Sequence, residues 1–368
     1  MQAEIQAISA IVIFIPIIYW INMKLSSAKE MVFDKGHIGA EISILLPMRN
    51  EEKNVIRKLK SMIGEISDLG NTKLYVFDSC SDDSTAYLAR EFLTVSKLPE
   101  ARWKVISLDV PGKSFAINRA MEIINSDIVI MSDADALVSD GWMKNVIEAL
   151  SDEDIGVVSG IEYEADLNSE DFNTYYRRNS NFLRVMESKL GSTTVLEGSL
   201  IAWKTSALGD FQLNENMNAD DAQIGLRSIR RGYRSVIDER IRFRGFDYES
   251  RAFSDSIRRS QGLSKALILN ADLVLTAKGK GARSVVLNSL VLYVFFPWSV
   301  ALFAVNSITA LLQDPVITLN WPFFSVSLIS IFLLTGQGRM LSKGVIISII
   351  AHCQIILGKS YKSWNPSR

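Results

Sequence analysis

Asp133 and Asp135 stand one residue apart, just past the apolar run Ile128–Met131. Two carboxylates at the mouth of a strand offer hard oxygen ligands to a divalent cation such as Mg²⁺ or Mn²⁺, and that cation can neutralise a diphosphate. Asp-x-Asp also occurs by chance in surface loops, so the pair gains its meaning from its company. Two polar clusters at strand ends precede it, and further ones follow.

The first, Pro47-Met48-Arg49-Asn50-Glu51-Glu52, offers backbone groups with Arg49 or Glu51 to a nucleotide base or ribose. Taken alone, it reads better as a solvated loop whose acids favour the start of the next helix. In the second, Asp78 to Thr85, residues Ser81, Asp82 and Asp83 are ordinary helix caps or first-turn acids. Asp78 lies too early for that role, so it is free to accept hydrogen bonds from a ring edge or a ribose. Lys113, in Gly112-Lys113-Ser114, opens a helix where the dipole disfavours a cation unless an anion is present, which points to phosphate. The glycine spacing of a Walker A loop is absent. Glu197-Gly198-Ser199 and Asn218-Ala219-Asp220-Asp221 come later. The second of these precedes a helix over 222–231 that Gly232 stops, so Asn218 or Asp220 is a credible cap and Asp221 a first-turn acid. Asp221 is also the candidate to take a proton from an attacking hydroxyl.

The elements that would position these residues alternate. Apolar runs at 42–46, 73–77, 103–108 and 128–131 read as strands, the first stopped by Pro47. Amphipathic stretches at 54–66, 84–93 and 114–124 read as helices between them. This is the pattern of an α/β sheet, in which ligands bind beyond the carboxyl ends of the strands.

Charge fills the middle of the 368-residue chain and is depleted at both ends. Residues 5–23 carry none and are followed by Lys24, Lys29 and Lys35, which predicts a retained transmembrane anchor over 1–24 with the next domain on the cytoplasmic side. Glu4 in place of a basic leader argues against a cleaved signal. Residues 284–313, with a kink offered by Pro297, and 315–338 predict a hairpin of two spans turning at Asp314. The shorter run 344–358, flanked by Lys343 and Lys359, reads as a re-entrant or interfacial helix. The domains so predicted are 1–24, a catalytic domain at 41–250, linker helices at 251–283, and a membrane region at 284–358. A net charge of -1 argues against nucleic acid as a partner. Two cysteines, Cys80 and Cys353, and two histidines provide neither a disulfide framework nor a zinc site, so a reducing compartment is expected.

As a set, PMRNEE (47–52), DSCSDDST (78–85), GKSFAIN (112–118), SDAD (132–135), EGSLIAWK (197–204) and ADD (219–221) resemble the family-2 inverting glycosyltransferases, over roughly 41–247. The resemblance implies a GT-A fold, a Rossmann-like mixed sheet, and a nucleotide-sugar donor. The flanking apolar runs are similar to those of integral-membrane members such as polysaccharide synthases and ceramide glucosyltransferases, which implies membrane lipids around the chain and a lipid or glycan acceptor. It gives Asp78 a nucleoside role and makes Asp133 and Asp135 the metal-diphosphate pair, with Asp135 the more direct ligand. Asp221 becomes the catalytic base and Lys113 a nucleotide contact. Pro47, Arg49, Asn50, Glu51, Gly198 and Asp220 join the substrate-binding residues. Two departures stand out: Ser79 replaces a second carboxylate, and the Gln-x-x-Arg-Trp signature of processive synthases retains only Arg258, which would meet either the diphosphate or lipid headgroups. The expected function is transfer of a sugar to a lipid or lipid-linked acceptor at the cytoplasmic face. A processive synthase and a non-catalytic nucleotide-binding scaffold are the alternatives.

Overall fold

In the computed structural model, residues 2–26, 31, 33, 39–163, 172–245, 253–279, 281–313, 327, 330 and 333–359 are described. The strands are β1 (Ile42–Met48), β2 (Thr72–Ser79), β3 (Trp103–Leu108), β4 (Ile128–Ser132), β5 (Ala136–Val138), β6 (Ile155–Glu162), β7 (Leu200–Lys204) and β8 (Arg234–Gly245). They form one eight-stranded sheet in the order 3-2-1-4-7-6-8-5. β3, β2, β1 and β4 run parallel, while β7 enters antiparallel to both β4 and β6. The helices are α1 (Gln2–Leu25), α2 (Val55–Asp68), α3 (Thr85–Thr94), α4 (Lys113–Ile123), α5 (Trp142–Ser151), α6 (Phe172–Leu190), α7 (Thr205–Leu208), α8 (Asp220–Arg230), α9 (Phe253–Leu269), α10 (Leu273–Thr276), α11 (Ala282–Leu290), α12 (Phe296–Gln313) and α13 (Gly336–Ile356).

β1 is buried along its whole length because helices cover both faces of the sheet, as a parallel sheet requires. Its alternate residues serve different cores. Ile44, Leu46 and Met48 pack with Leu59 and Met62 of α2 and Val146 of α5, whereas Leu45 joins Phe77, Val129, Ala116 of α4 and Ile224 of α8. Pro47 does not stop the strand. The β1–β4 ladder ends at Leu45, so beyond it only β2 pairs with β1, and proline's missing donor is tolerated at such a half-laddered position. β2 likewise runs on through Asp78 and Ser79, which carries Asp78 to the rim of the sheet inside regular structure.

A third core joins the sheet domain to the apolar helices: Ala222, Leu226 and Ile229 of α8 meet Ala266 and Leu267 of α9 and Ala282 and Val286 of α11. Among the described residues three helical stretches are long and apolar enough to cross a membrane: Glu4–Leu25, Ala282–Gln313 and Gly336–Ile356. Their outward residues include Ile8, Ile11 and Ile18 on α1, Leu302 and Val305 on α12, and Ile346 on α13. α1 lies along α12, where Gln6 donates to the Ser307 hydroxyl at 3.0 Å. Tyr19 of α1 donates to Glu187 of α6 at 3.0 Å. Ahead of Pro297 the helix widens into a π turn at Val291–Phe295, the local adjustment that accommodates the ring.

The re-entrant or interfacial helix expected at 344–358 starts earlier than expected. Helix α13 is continuous over 21 residues from Gly336, through Arg339 and Lys343. Thr335 caps it by accepting from the Gly338 N–H, and the Arg339 guanidinium donates back to the Leu334 carbonyl. Flexible basic side chains that reach the end of the helix do not interrupt it. Asp314 and most of the run at 315–338 lie outside the described residues.

Candidate active site

The parallel half supplies a rim of two interlocked loops. After β1, Asn50 adopts φ 54°, and after β2, Cys80 adopts φ 57°. Left-handed backbone at two non-glycine residues on adjacent strand ends is strain held in place by its surroundings. Here the surroundings are hydrogen bonds between the loops. The Asn50 N–H donates to the Ser81 hydroxyl at 2.9 Å, and the Asp82 N–H donates to the Asn50 side-chain oxygen at 2.8 Å. The Glu51 N–H donates to the Thr85 hydroxyl at 2.7 Å. The Glu51 carboxylate is buried and accepts from Asn54 at 2.7 Å, so part of its capacity serves the start of α2. Asp78, 5% exposed, has one carboxylate oxygen without a hydrogen-bond partner among the described residues. A buried acceptor left open at a strand end is fitted to take a donor from a ligand.

At the start of α4 the acids and Lys113 converge. The Lys113 ammonium lies 2.7 Å from Asp133 and 3.0 Å from Asp220. Gly198 sits between them: a methyl added there would lie 3.6 Å from the Asp221 Cβ and 3.7 Å from the Lys113 Nζ. Residues 113, 133, 198, 220 and 221, widely spaced in the chain, therefore lie together. The cap expected of Asn218 or Asp220 is not made: Ala219 is the cap residue of α8, and Asp220 faces Lys113 instead. The Asp221 carboxylate accepts from the Ala222 N–H at 2.8 Å. Burial, with Asp220 beside it, pushes the Asp221 carboxyl up to about 7. Burial and the nearby Asp135 also raise Asp133, against the pull of Lys113. For Lys113 burial works against the charge, but Asp133 and Asp220 outweigh it and hold the ammonium protonated above its usual range.

Arg258 stands on α9 with its guanidinium 3.7 Å from Asp255. Burial and Arg259 lower its proton affinity, while Asp255 and Asp220 raise it, which places it in the field of the same cluster. The helix reaches the cluster because of Gly262: any Cβ there would lie 2.3 Å from the Asn218 carbonyl oxygen. α9 is itself fastened to α13, through Gln261 to Gln354 at 2.7 Å and Ser264 to His352 at 2.9 Å. Trp298 of α12 donates to the other ring nitrogen of His352 at 3.0 Å.

Two functional candidates escape a reading of the sequence. Arg184 of α6 pairs with Glu197 at 2.7 Å, beside Gly198, and Glu197 contributes to the field at Asp221. Its contact spans 13 residues between two irregularly spaced segments, and no local pattern announces it. Lys58 of α2 is 0% exposed; its ammonium donates to the Ser132 hydroxyl at 2.6 Å and to the Ala136 carbonyl. Its signal was present: Lys58 falls three residues after Val55 and four before Met62, on the buried stripe of the helix.

Asp133 and half-buried Asp135 are hard oxygen donors, with Asp135 close enough to raise the Asp133 carboxyl. Among the described residues no group of three or more potential side-chain ligands gathers. The donor set thus fits a cation whose remaining ligands come from a bound diphosphate rather than one caged by the protein.

Residues 43–216 match the family model described as Glycosyl transferase family 2. Over 121 residues the chain is 28% identical to a beta-monoglucosyldiacylglycerol synthase of Nostoc sp., covering 32% of this chain and 25% of that protein. Over 134 residues it is 26% identical to Protein RfbJ of Shigella flexneri, covering 36% of this chain and 92% of that protein. The match thus spans a quarter of the length of the synthase. Among solved structures, the chain is similar to the mannosyltransferase PcManGT from Pyrobaculum calidifontis, in complex with GDP-Man and Mn²⁺, with TM-score 0.78, 21% identity and coverage of 98% of this chain and 100% of that one. At that identity the likeness is one of fold: a GT-A sheet with apolar helices at both ends.

Proposed function

From the premise that this chain carries a glycosyltransferase family 2 domain, we propose that it transfers a sugar from a nucleotide-sugar donor to a lipid or lipid-linked acceptor, with inversion, at the cytoplasmic face of a membrane. The observation that carries this reading is the meeting of Lys113, Asp133, Asp220 and Asp221 around Gly198. Asp78 accepts a hydrogen bond from the nucleoside, beside the loop of Pro47, Arg49, Asn50 and Glu51. Lys113 and Arg258 offset negative charge on the diphosphate. A Mg²⁺ or Mn²⁺ held by Asp135 and Asp133 supplies further neutralisation of the leaving group when bound. Asp221 takes the proton of the acceptor hydroxyl as its oxygen bonds to the anomeric carbon. The bond from that carbon to the diphosphate oxygen breaks, and its electron pair leaves with the nucleoside diphosphate. A base with a proton affinity near neutrality suits this step.

The acceptor class rests on the apolar helices that adjoin the acidic cluster through α9, and on the likeness to a beta-monoglucosyldiacylglycerol synthase. The cytoplasmic placement rests on Lys24, Lys278 and Arg283 at the domain-side ends of the apolar segments. The division that follows is an anchor at 1–24, a catalytic domain at 41–250, linker helices at 251–283 and a membrane region at 284–358. Membranes holding the full chain, given Mn²⁺ and a panel of radiolabelled nucleotide sugars including GDP-mannose and UDP-glucose, are expected to place label in the lipid extract. Label confined to a long polymer fraction would favour a processive synthase. Binding of nucleoside diphosphate without any incorporation would favour a scaffold.

A further inference from the structure

Lys58 has no place in the chemistry above, yet it is one of the largest fully buried side chains in the molecule. Its neighbours on α2, namely Val55, Leu59, Met62 and Ile66, are apolar and buried. An ammonium in such a position loses its hydration, and burial is a net penalty unless the charge meets partners. Its partners lie on both sides of one short turn: the Ser132 hydroxyl at the end of β4 and the Ala136 carbonyl at the start of β5. Between these two anchors lie Asp133, Ala134 and Asp135. The Ser132 hydroxyl passes the connection on, donating to the Ser199 carbonyl at 2.7 Å, while the Asp133 N–H donates to that same carbonyl at 3.1 Å. Ser199 follows Gly198, the residue against which Asp221 and Lys113 lie. One buried lysine therefore spans the base of the acidic turn and, through Ser132, ties it to the segment that carries the glycine.

We infer that Lys58 is a positioning residue, an internal hydrogen-bond donor that fixes the 132–136 turn from beneath so that Asp133 and Asp135 present their carboxylates to a divalent cation in a set arrangement relative to Gly198. The inference rests on the proposed role of these two acids as metal ligands. The geometry explains why a lysine rather than an aliphatic side chain sits on the helix. A methyl-terminated chain would fill the space but leave the Ala136 carbonyl without its donor and the turn without its brace. Burial lowers the Lys58 amine to about 7, with Asp133 and Asp135 pulling the other way, so its hydrogen bonds rather than a fixed charge make the brace. Groups that support metal ligands from behind in this way change metal affinity by about 10- to 100-fold when removed.

The test uses the full chain in detergent, unaltered and as Lys58→Met and Ser132→Ala, titrated with Mn²⁺ in the presence of GDP or UDP. Free Mn²⁺ is followed by electron paramagnetic resonance, and a thermal melt is recorded for each protein. Lys58→Met is expected to weaken Mn²⁺ uptake by about 10-fold or more, and Ser132→Ala by a smaller factor, at temperatures where both remain folded. GDP or UDP binding without metal should be unchanged, since Asp78 and its loops are untouched. Mn²⁺ affinity within about two-fold of the unaltered protein in folded Lys58→Met would overturn the inference. If Lys58→Met does not fold, Ser132→Ala decides alone, and unaltered Mn²⁺ affinity in that variant would overturn it. Failure of the unaltered protein to take up Mn²⁺ at all removes the metal reading of Asp133 and Asp135 and this inference with it, a result distinct from loss in the variants only.

Discussion

The two walls of the candidate site are built differently. The wall made by the ends of β1 and β2 is held by short-range hydrogen bonds between the loops at 49–52 and 80–85, all within the sheet domain. The opposite wall, with Asp220 and Asp221, is held from outside: α9 lies against the Asn218 backbone at Gly262, and α9 is fastened to α13. In the proposed reading, the first wall binds the donor nucleoside and the second activates the acceptor. In that reading donor recognition would be self-contained, whereas acceptor chemistry would depend on helices long and apolar enough to cross a membrane.

The largest effect expected is on the second wall. Asp221→Asn should lower turnover by about 10²- to 10⁴-fold if the acceptor is a hydroxyl, and only mildly if it is an already ionised phosphate. Labelled transfer to lipid extracts separates the two. The same carboxyl sets a pH dependence. With its proton held up to about 7, turnover should rise as pH increases through that value and level off above it. For stability the sign is opposite: the folded chain binds this proton more tightly than the unfolded chain, so Asp221 favours folding less as pH climbs from the ordinary aspartate value toward 7. A pH–rate profile flat between 5 and 9 would remove Asp221 as the base.

Next in size is Gly262→Ala. The added carbon collides with the Asn218 carbonyl, so α9 and the base must move apart, with an expected fall in kcat of about 10- to 100-fold. Nucleoside diphosphate binding should stay as it was; if both fall together, the two walls are not independent. Asp78→Asn tests the other wall: the KM for the donor should rise about 10-fold, with kcat little changed. Smallest is Cys80→Gly, which relieves a left-handed backbone and should raise stability by about 1 kcal/mol or less, seen in a thermal melt.

This contrast also explains what the sequence made legible. The order of strands and helices in the parallel half followed from periodicity, because each element there carries its own pattern. Pro47 misled only about where β1 ends, since the loss of its ladder to β4 is a fact of topology. The polar strand ends were visible as motifs, and Lys113, Asp133, Asp220, Asp221 and Gly198 do meet. The position of Asp220 was not legible: the helix-capping rule assigns it to its own backbone, but a lysine 107 residues away in sequence claims it. Lys58 lies on the buried stripe of α2 and was legible there, but lysine on an amphipathic helix is ordinarily read as solvated. At the C-terminal end, basic residues read as boundaries were interior to a single helix, because side chains that long can carry their charge to its end.

The bond between Gln6 and Ser307 joins residues 301 positions apart. During synthesis, α1 emerges from the ribosome well before the helix it finally lies against, and for most of translation its glutamine has no protein neighbour there. Packing of α1 against α12 is therefore a late event, and chains interrupted before α12 would hold α1 through Tyr19 and Glu187 alone while the Gln6 amide lacks its Ser307 partner.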